Sequence, residues 1–442
     1  MPVGQPQVPS KVPLTAADSA WLRMEEPANL MTITGVLTFR EPLERERLLA
    51  LLRDRFLCHR RFRQKVLEPR VRLGKPSWID DDGFDLERHV VSARLAGAAG
   101  KAELEAYVSE LMSTPLDFER PLWQFHLLDN FQGGSALVGR VHHCIGDGMS
   151  LVHVVLGLAD NPPVDFGVPA KQPLGDLQIG RPSLRHRLWR GVQIGGASAA
   201  SLVRVLALPG DRRTLLRGKL GVEKRAVWSA PIPLDAIKAL GKRLGGTVND
   251  VLLSVMAGAL RRYLEQRGKS ADGPSVRAVV PVNLRPPHEN ELGNRFGLVF
   301  LPLPIGEPDA LGRLRALRRS MERLKRSPEP FVVYGLLRLF GATTPQILEL
   351  ALNIFGRKAT AVMTNVPGPR EPLIFAGREC DSILFWVPQS GKLGMGVSIL
   401  SYNGWVRVGV ATDVGLVPDP EAILAHYDAA LAELESVQLA PV

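Results

Sequence analysis

Arg140-Val-His-His-Cys-Ile-Gly-Asp-Gly-Met149 is the stretch on which the reading of this chain turns. The alternating run Ala136–His142 ends in two histidines, a turn follows in which Gly146 and Gly148 flank Asp147, and Met149–Ala159 is apolar enough for a buried helix. Strand, tight turn and helix in succession indicate a mixed α/β unit. On an extended backbone successive side chains point to opposite faces, so His142 and His143 cannot easily bind one metal ion together. A zinc site needs three or more ligands, and neither a His-Glu-x-x-His pattern nor a cysteine cluster supplies the others. No metal is expected. A histidine at a strand end, titrating near neutrality, suits removal of a proton from a hydroxyl. Asp147 could pair with an arginine and hold the loop, or it could orient an imidazole. Gly146 permits the tight turn, and Gly148 removes a side chain where a substrate would approach. The same residues also fit a core histidine pair beside an ordinary turn.

Upstream, Thr15 and Asp18 form a capping-box pattern ahead of Trp21-Leu22, which predicts a short helix. Met31–Phe39 has strand alternation, helices are expected near 44–57 and 101–113, and Leu122–Leu128 precedes Ala136–His142 as a neighbouring strand. The character changes from Asn161 to about Gly221, where Asn-Pro-Pro, Val-Pro, Gln-Pro and Arg-Pro break regular structure. Within it Leu184, Leu188 and Val192 recur every four residues among arginines, the pattern of a basic amphipathic helix that could lie on a membrane surface. Downstream, Val248–Leu264 reads as a long helix. Strands are expected at Val276–Val282, Leu298–Leu303, Ala361–Asn365, Ser382–Val387, Gly394–Ser401 and Trp405–Ala411, with two helices between 308 and 353 and a closing helix at Pro420–Ser436. The organisation expected is an α/β unit over 1–160, a basic, proline-rich linker over 161–225 and a second α/β unit over 226–442, with a cleft between the units as the ligand site.

At 442 residues, 45% apolar and 23% charged, the composition is that of globular domains with substantial cores. No stretch reaches the ~18 consecutive apolar residues of a membrane span, and the opening Met-Pro-Val-Gly-Gln-Pro is not a secretory signal. Cys58, Cys144 and Cys380 are too scattered for a disulfide framework, which suits a reducing cytoplasm. Of the net charge of +10, residues 181–225 hold +9, with eleven Lys or Arg against Asp211 and Glu223. Charge concentrated in one segment argues against a general nucleic-acid binder, whose charge would be spread over a folded face with aromatic stacking residues. It favours a local contact with a phospholipid surface or with the phosphates of a ligand, unless the segment is simply a solvated linker.

His-His-x-x-x-Asp-Gly is the signature of the chloramphenicol-acetyltransferase-like superfamily, and further motifs make the chain resemble one branch of it, the bacterial wax ester synthase/diacylglycerol acyltransferase family. These are Pro13-Leu-Thr-Ala-Ala-Asp18 with Trp21-Leu22, Pro115-Leu-Asp followed by Pro121-Leu-Trp123, Asn249-Asp250, Pro281-Val-Asn-Leu-Arg-Pro286 and Thr364-Asn-Val-Pro-Gly-Pro369. They occur in the family's order and span nearly the whole chain, apart from 161–225.

The resemblance implies two mixed-sheet α/β domains with a cleft or tunnel between them. It also implies transfer of a long-chain acyl group from acyl-CoA to the hydroxyl of diacylglycerol or a fatty alcohol, with no cofactor. His143 is then the general base, His142 its support and Asp147 a scaffold. Gly148, Asn249 and Trp123 lie at the substrate, Asn249 as positioner or oxyanion donor. Bland readings stand beside these: Trp123 as a core aromatic, Asn249 as a helix cap, Asp250 as structural, and the Asn365 stretch as a turn shaping the cleft wall. Arg285 is one candidate partner for Asp147. No nucleophile is needed, and the Gly-x-Ser-x-Gly elbow of a serine esterase is absent. Two rivals remain: a condensation-type enzyme using carrier-bound acyl groups, and a catalytically silent lipid-binding protein. Cytoplasmic residence with peripheral contact to a membrane or lipid inclusion through 181–225 completes the expectation.

Overall fold

Alternation decides the central strands. Thr32–Phe39, Gly134–His142 and Trp123–Phe131 run antiparallel in register, Val36 opposite Val138 and Leu127 opposite Leu137. One face of these strands is apolar against one core cluster and the other face against a second. The computed structural model describes residues 11–69, 74–163, 200–273, 276–285, 292–389 and 391–438.

Two large mixed sheets organise the chain. The first has the order Ile374–Phe375, Arg378–Trp386, Thr32–Phe39, Gly134–His142, Trp123–Phe131, Val90–Ala93. The second has the order Phe296–Leu303, Val276–Asn283, Ala361–Pro367, Met395–Tyr402, Trp405–Asp413, Lys224–Trp228, with Ile232–Pro233 pairing beside the fifth strand. A small sheet joins Val12–Pro13, Ser77–Asp80 and Gln64–Leu67. Against the second sheet pack the helices Val248–Gln266, Ala310–Lys325 and Pro420–Glu435, the first buried along most of its length.

The halves are not separate in the way a division at 160 and 226 implies. Arg378–Trp386, from the C-terminal half, is a full strand of the first sheet, paired with Thr32–Phe39. Lys224–Trp228, at the end of the expected linker, is the edge strand of the second sheet. Its outward N–H groups are met by the N-terminal half. Ser113 Oγ, Ser109 Oγ and Glu105 Oε1, spaced four apart on the helix Lys101–Ser113, accept from the amides of Lys224, Ala226 and Trp228 at 2.8, 2.9 and 2.8 Å. A bare strand edge is thereby closed by a helix rather than left to pair elsewhere.

Between 308 and 353 three helices stand where two were expected: Ala310–Lys325, Glu329–Gly341 and Pro345–Gly356. Pro345, which has no N–H and a fixed φ, starts a new helix after Thr344 instead of continuing the previous one. The amphipathic pattern at 184–192 lies outside the described residues, as do Arg181, Arg185, Arg187 and Arg190. Helical residues are described at 200–207. Among the described residues no helix is long and apolar enough to cross a membrane.

Candidate active site

His143 leaves the end of the strand Gly134–His142, its amide donating to the carbonyl of Met31 at 2.7 Å. The ring is buried and stacks on Trp21, with centroids 3.9 Å apart and planes 16° apart. Phe296 flanks it at 5.6 Å. Nδ1 lies 2.8 Å from Asn294 Oδ1. The amide nitrogen of Asn294 is committed elsewhere, donating to Asp18 Oδ1 and to the His143 carbonyl at 2.8 Å each. The asparagine therefore offers oxygen to the ring, and Nδ1 must carry the proton. Nε2 is left with its lone pair, and nothing among the described residues bonds it. Burial pushes the imidazole pKa down to about 4, against the opposing pull of the Asp147 carboxylate, so the ring is neutral at physiological pH.

Asp18 helps to position this ring. Thr15 caps the helix Ala16–Arg23 by accepting from the Asp18 amide at 3.1 Å, but the Asp18 carboxylate does not complete the expected capping box. It turns to Asn294 instead, where burial raises its pKa.

Asp147 joins the loop to the C-terminal half. Its Oδ1 accepts from Arg285 Nη1 at 3.0 Å and from the Ser150 amide at 2.8 Å, and its Oδ2 accepts from the Arg295 amide at 2.8 Å. Arg285 also donates to the Gly293 carbonyl at 2.9 Å. Of the two readings of Asp147, the geometry matches the arginine pair that holds the loop; it makes no hydrogen bond to either imidazole. It also caps the helix Gly148–Leu158. Gly146 is demanded by packing rather than by backbone angle, because a Cβ there would lie 2.5 Å from Ser150 Oγ. At Gly148 a Cβ would meet only Val387, at 3.9 Å, so the protein itself leaves that space open.

His142 faces the other way. Its Nδ1 accepts the Cys144 amide at 3.1 Å, its Nε2 lies 3.4 Å from Glu25 Oε2, and Phe118 packs edge-on against the ring. It is fully enclosed and does not share a site with His143. Cys144 is buried as well, and burial raises its thiol pKa far above the ordinary value. Such a thiol is no nucleophile.

Trp123, expected at the substrate, is a core residue. It is packed among Phe56, Phe62, Phe125 and His89, and its indole N–H is used by the Phe62 carbonyl at 2.8 Å. The indole is almost wholly enclosed and lies apart from His143, which matches the core reading of the Pro-Leu-Trp motif. Asn249, half-buried at the start of Val248–Gln266, accepts from Asn365 Nδ2 at 2.8 Å, so the Asn-Asp and Asn-Val-Pro motifs meet. Thr247, not Asn249, caps that helix, in a capping box with Asp250. Sequence reasoning missed Asn294 altogether. Its only local signal is a polar residue between Gly293 and the apolar strand that begins at Phe296.

The model of the wax ester synthase/diacylglycerol acyltransferase catalytic domain matches residues 14–252, and that of the family's C-terminal domain matches residues 292–435. The chain belongs to this family. Its fold resembles that of a wax ester synthase/diacylglycerol acyltransferase from Marinobacter aquaeolei VT8, with a TM-score of 0.67 and 25% identity over 96% of this chain and 98% of that one. A probable diacylglycerol O-acyltransferase of Mycobacterium tuberculosis is 27% identical, covering 96% of both chains. Wax ester synthase/diacylglycerol acyltransferase 2 of Arabidopsis thaliana is 29% identical, covering 78% of this chain and 79% of that one. The starter condensation domain of rhizomide synthetase, solved with C8-CoA and Leu-SNAC, shares the fold at a TM-score of 0.60 and 15% identity, covering 98% of each chain. As a member of the family the chain is an acyltransferase, and its two mixed sheets are those of the superfamily.

Proposed function

We propose that this acyltransferase moves a long-chain acyl group from acyl-CoA to the hydroxyl of diacylglycerol or of a fatty alcohol, with His143 as general base and no cofactor. The observation that carries the proposal is the one-sided bonding of the imidazole: Nδ1 is held by Asn294 and the basic lone pair is left on Nε2. In the reaction Nε2 takes the proton of the acceptor hydroxyl as its oxygen attacks the thioester carbonyl. The C–O bond forms, the tetrahedral adduct collapses with cleavage of the C–S bond, and the imidazolium returns the proton to the departing CoA thiolate. No covalent enzyme intermediate is needed.

Asn294 and Asp18 act as positioning residues, and the Asp147–Arg285 pair holds the loop. Gly148 leaves clearance at the ring. Asn249, whose oxygen is occupied by Asn365, has its amide N–H groups to offer an oxyanion. His142 supports the strand end. A condensation-type reaction would require a carrier-bound donor, and turnover of free acyl-CoA separates the two. The test is thiol release from palmitoyl-CoA with hexadecanol or dioleoylglycerol. Undiminished turnover by His143→Ala would sink the assignment, and product identity from both acceptors supplied together reads the preference.

Water-insoluble acceptors place the work at a lipid surface, so peripheral association with a membrane or lipid inclusion in the cytoplasm belongs to the same proposal. The basic segment 181–225 supports it less than its charge suggests. Arg204 pairs with Glu329, Lys224 with buried Asp413, and Arg225 with Glu421. Arg212 and Arg217 donate to backbone carbonyls. Arg181, Arg185, Arg187 and Arg190 lie outside the described residues, and by charge they suit an anionic surface or CoA phosphates. Equal binding to neutral and anionic vesicles at low salt would count against the first role.

A further inference from the structure

Three helices form one layer beside the site: residues 200–207, Glu329–Gly341 and Pro345–Gly356. Val205, Val333 and Phe355 share a small apolar cluster between them, and Phe340 and Phe355 lie 6.2 Å apart. The outward face of this layer is apolar. On Pro345–Gly356 the residues Ile347, Leu350 and Ile354, at i, i+3 and i+7, are 47%, 61% and 46% exposed, while Leu348 and Ala351 are buried. On Glu329–Gly341, Phe331 and Leu339 are 59% and 60% exposed, and Val203 and Leu206 are exposed on the first helix. These residues make up more than half of the exposed large apolar side chains among the described residues. The two long helices carry only three charged residues, Glu329, Arg338 and Glu349, and Glu329 is buried against Arg204.

A soluble surface helix turns its apolar stripe to the core and its charges to water. These helices bury one apolar stripe and expose another, the mark of an interaction surface. We propose that this three-helix face lies against a phospholipid layer, with its leucines and isoleucines in the acyl boundary and the inner side of the layer leading to His143. The proposal rests on the lipid-acyltransferase reading and extends the lipid contact from 181–225 to Glu329–Gly341 and Pro345–Gly356.

Two observations favour lipid over a second copy of the chain. First, the inner side of Glu329–Gly341 reaches the site. Tyr334 Oη lies 3.5 Å from the Asn294 carbonyl, Leu337 and Phe340 pack against the cluster that holds Trp21, and Gly341 has no room for a Cβ over the Ala16 carbonyl. An acceptor dissolved in lipid is thus one helix away from the base. Second, the chain entering the first helix carries Arg181, Arg185, Arg187 and Arg190 and no acidic residue between 181 and 200. Such a segment is drawn to anionic headgroups and would repel its duplicate in a face-to-face dimer.

The test is flotation of the full chain with phosphatidylcholine/phosphatidylglycerol vesicles, for wild type and for the combined variant Leu339→Ser, Leu350→Ser, Ile354→Ser. A second variant, Val203→Ser with Leu206→Ser, probes the same face from another helix. Wild type should float. The triple variant should bind about a hundredfold more weakly, from three apolar side chains removed from lipid. It should keep wild-type turnover of palmitoyl-CoA and hexadecanol in detergent micelles and lose turnover on vesicles. Wild type that does not float overturns the proposal, as does a triple variant that floats equally well. A wild-type dimer in light scattering that the triple variant abolishes assigns the face to a second copy and overturns it too. If wild type floats but makes no ester in micelles, the acyltransferase reading fails and the lipid-docking face stands.

Discussion

His142 and His143 are adjacent, identical in type and equally deep, yet the fold gives them opposite tasks. His142 sits within the N-terminal half, its Nδ1 accepting the Cys144 amide and its Nε2 facing Glu25. His143 is held from the C-terminal half by Asn294 and covered by Trp21, and its second nitrogen is unclaimed. Strand alternation alone separates the two faces; only the arrival of residues 292–296 fixes the tautomer of one of them and leaves its Nε2 lone pair unclaimed. The lesson is that the motif supplies the histidine, and the junction between the halves sets its tautomer and its environment.

The largest effect should come from removing the two rings separately. His143→Ala should lower kcat/KM about 10²- to 10⁴-fold, the usual worth of a positioned general base. His142→Ala should leave most of kcat/KM in whatever protein folds and register mainly as a lower Tm, because a buried ring is lost from the core. Equal losses in both would break the comparison. The pH profile sharpens it. The active form of His143 is neutral, and its folded pKa is depressed below 6.5, so the acid limb of kcat/KM should lie nearer 4. The same sign governs stability. The unfolded chain binds a proton below 6.5 that the folded ring refuses until about 4, so this contribution is complete above 6.5 and is lost as pH falls through that window.

Next in size is Asp147→Ala. It removes one partner of a buried ion pair and leaves Arg285 Nη1 and the amides of Ser150 and Arg295 without the carboxylate they donate to. Breaking such a pair costs about 3–5 kcal/mol, which denaturant unfolding should show together with lost activity. An unchanged melting curve with no activity would instead make Asp147 a chemical participant. Asn294→Leu should follow, with kcat down about 10- to 100-fold, the range found when an outer partner that orients an imidazole is lost. Since Asn294 acts through the ring's tautomer, kcat and the acid limb should move while KM for acyl-CoA stays. A rise in KM alone would make it a substrate contact.

The sequence makes the central strands, the long helix at 248 and the His143 turn legible because their information is local: alternation, glycine spacing and caps. It hides what depends on long-range meetings. Asn294 is 151 positions from His143, and nothing in its neighbourhood marks it. Asp18 reads as half of a capping box, and only the folded chain diverts its carboxylate to Asn294. Ser382–Val387 reads as a strand, but no local pattern says that it joins the first sheet as part of Arg378–Trp386. The charge of 181–225 misleads for the same reason, since a net charge does not reveal how many cations are bonded at home.

The smallest effect gives the finest contrast within the motif, between its two glycines. Gly146→Ala would drive a methyl against Ser150 Oγ and press on Leu292 at 3.4 Å, so the turn must shift and the helix Gly148–Leu158 loses the hydroxyl geometry at its first turn. Loss of stability of about 1–3 kcal/mol is expected, as for other overpacked sites. Gly148→Ala meets only Val387 at ordinary contact distance and lies at a helix start, where alanine gives the unfolded chain less freedom to lose on folding. Its stability should be equal or higher by about 0.4–1 kcal/mol. If the space beside Gly148 is there for the acceptor, the same methyl should raise KM for hexadecanol severalfold while the melting temperature stays or rises. A Gly148→Ala enzyme with wild-type KM and kcat for both acceptors would remove Gly148 from the site and leave it as a residue of the turn alone.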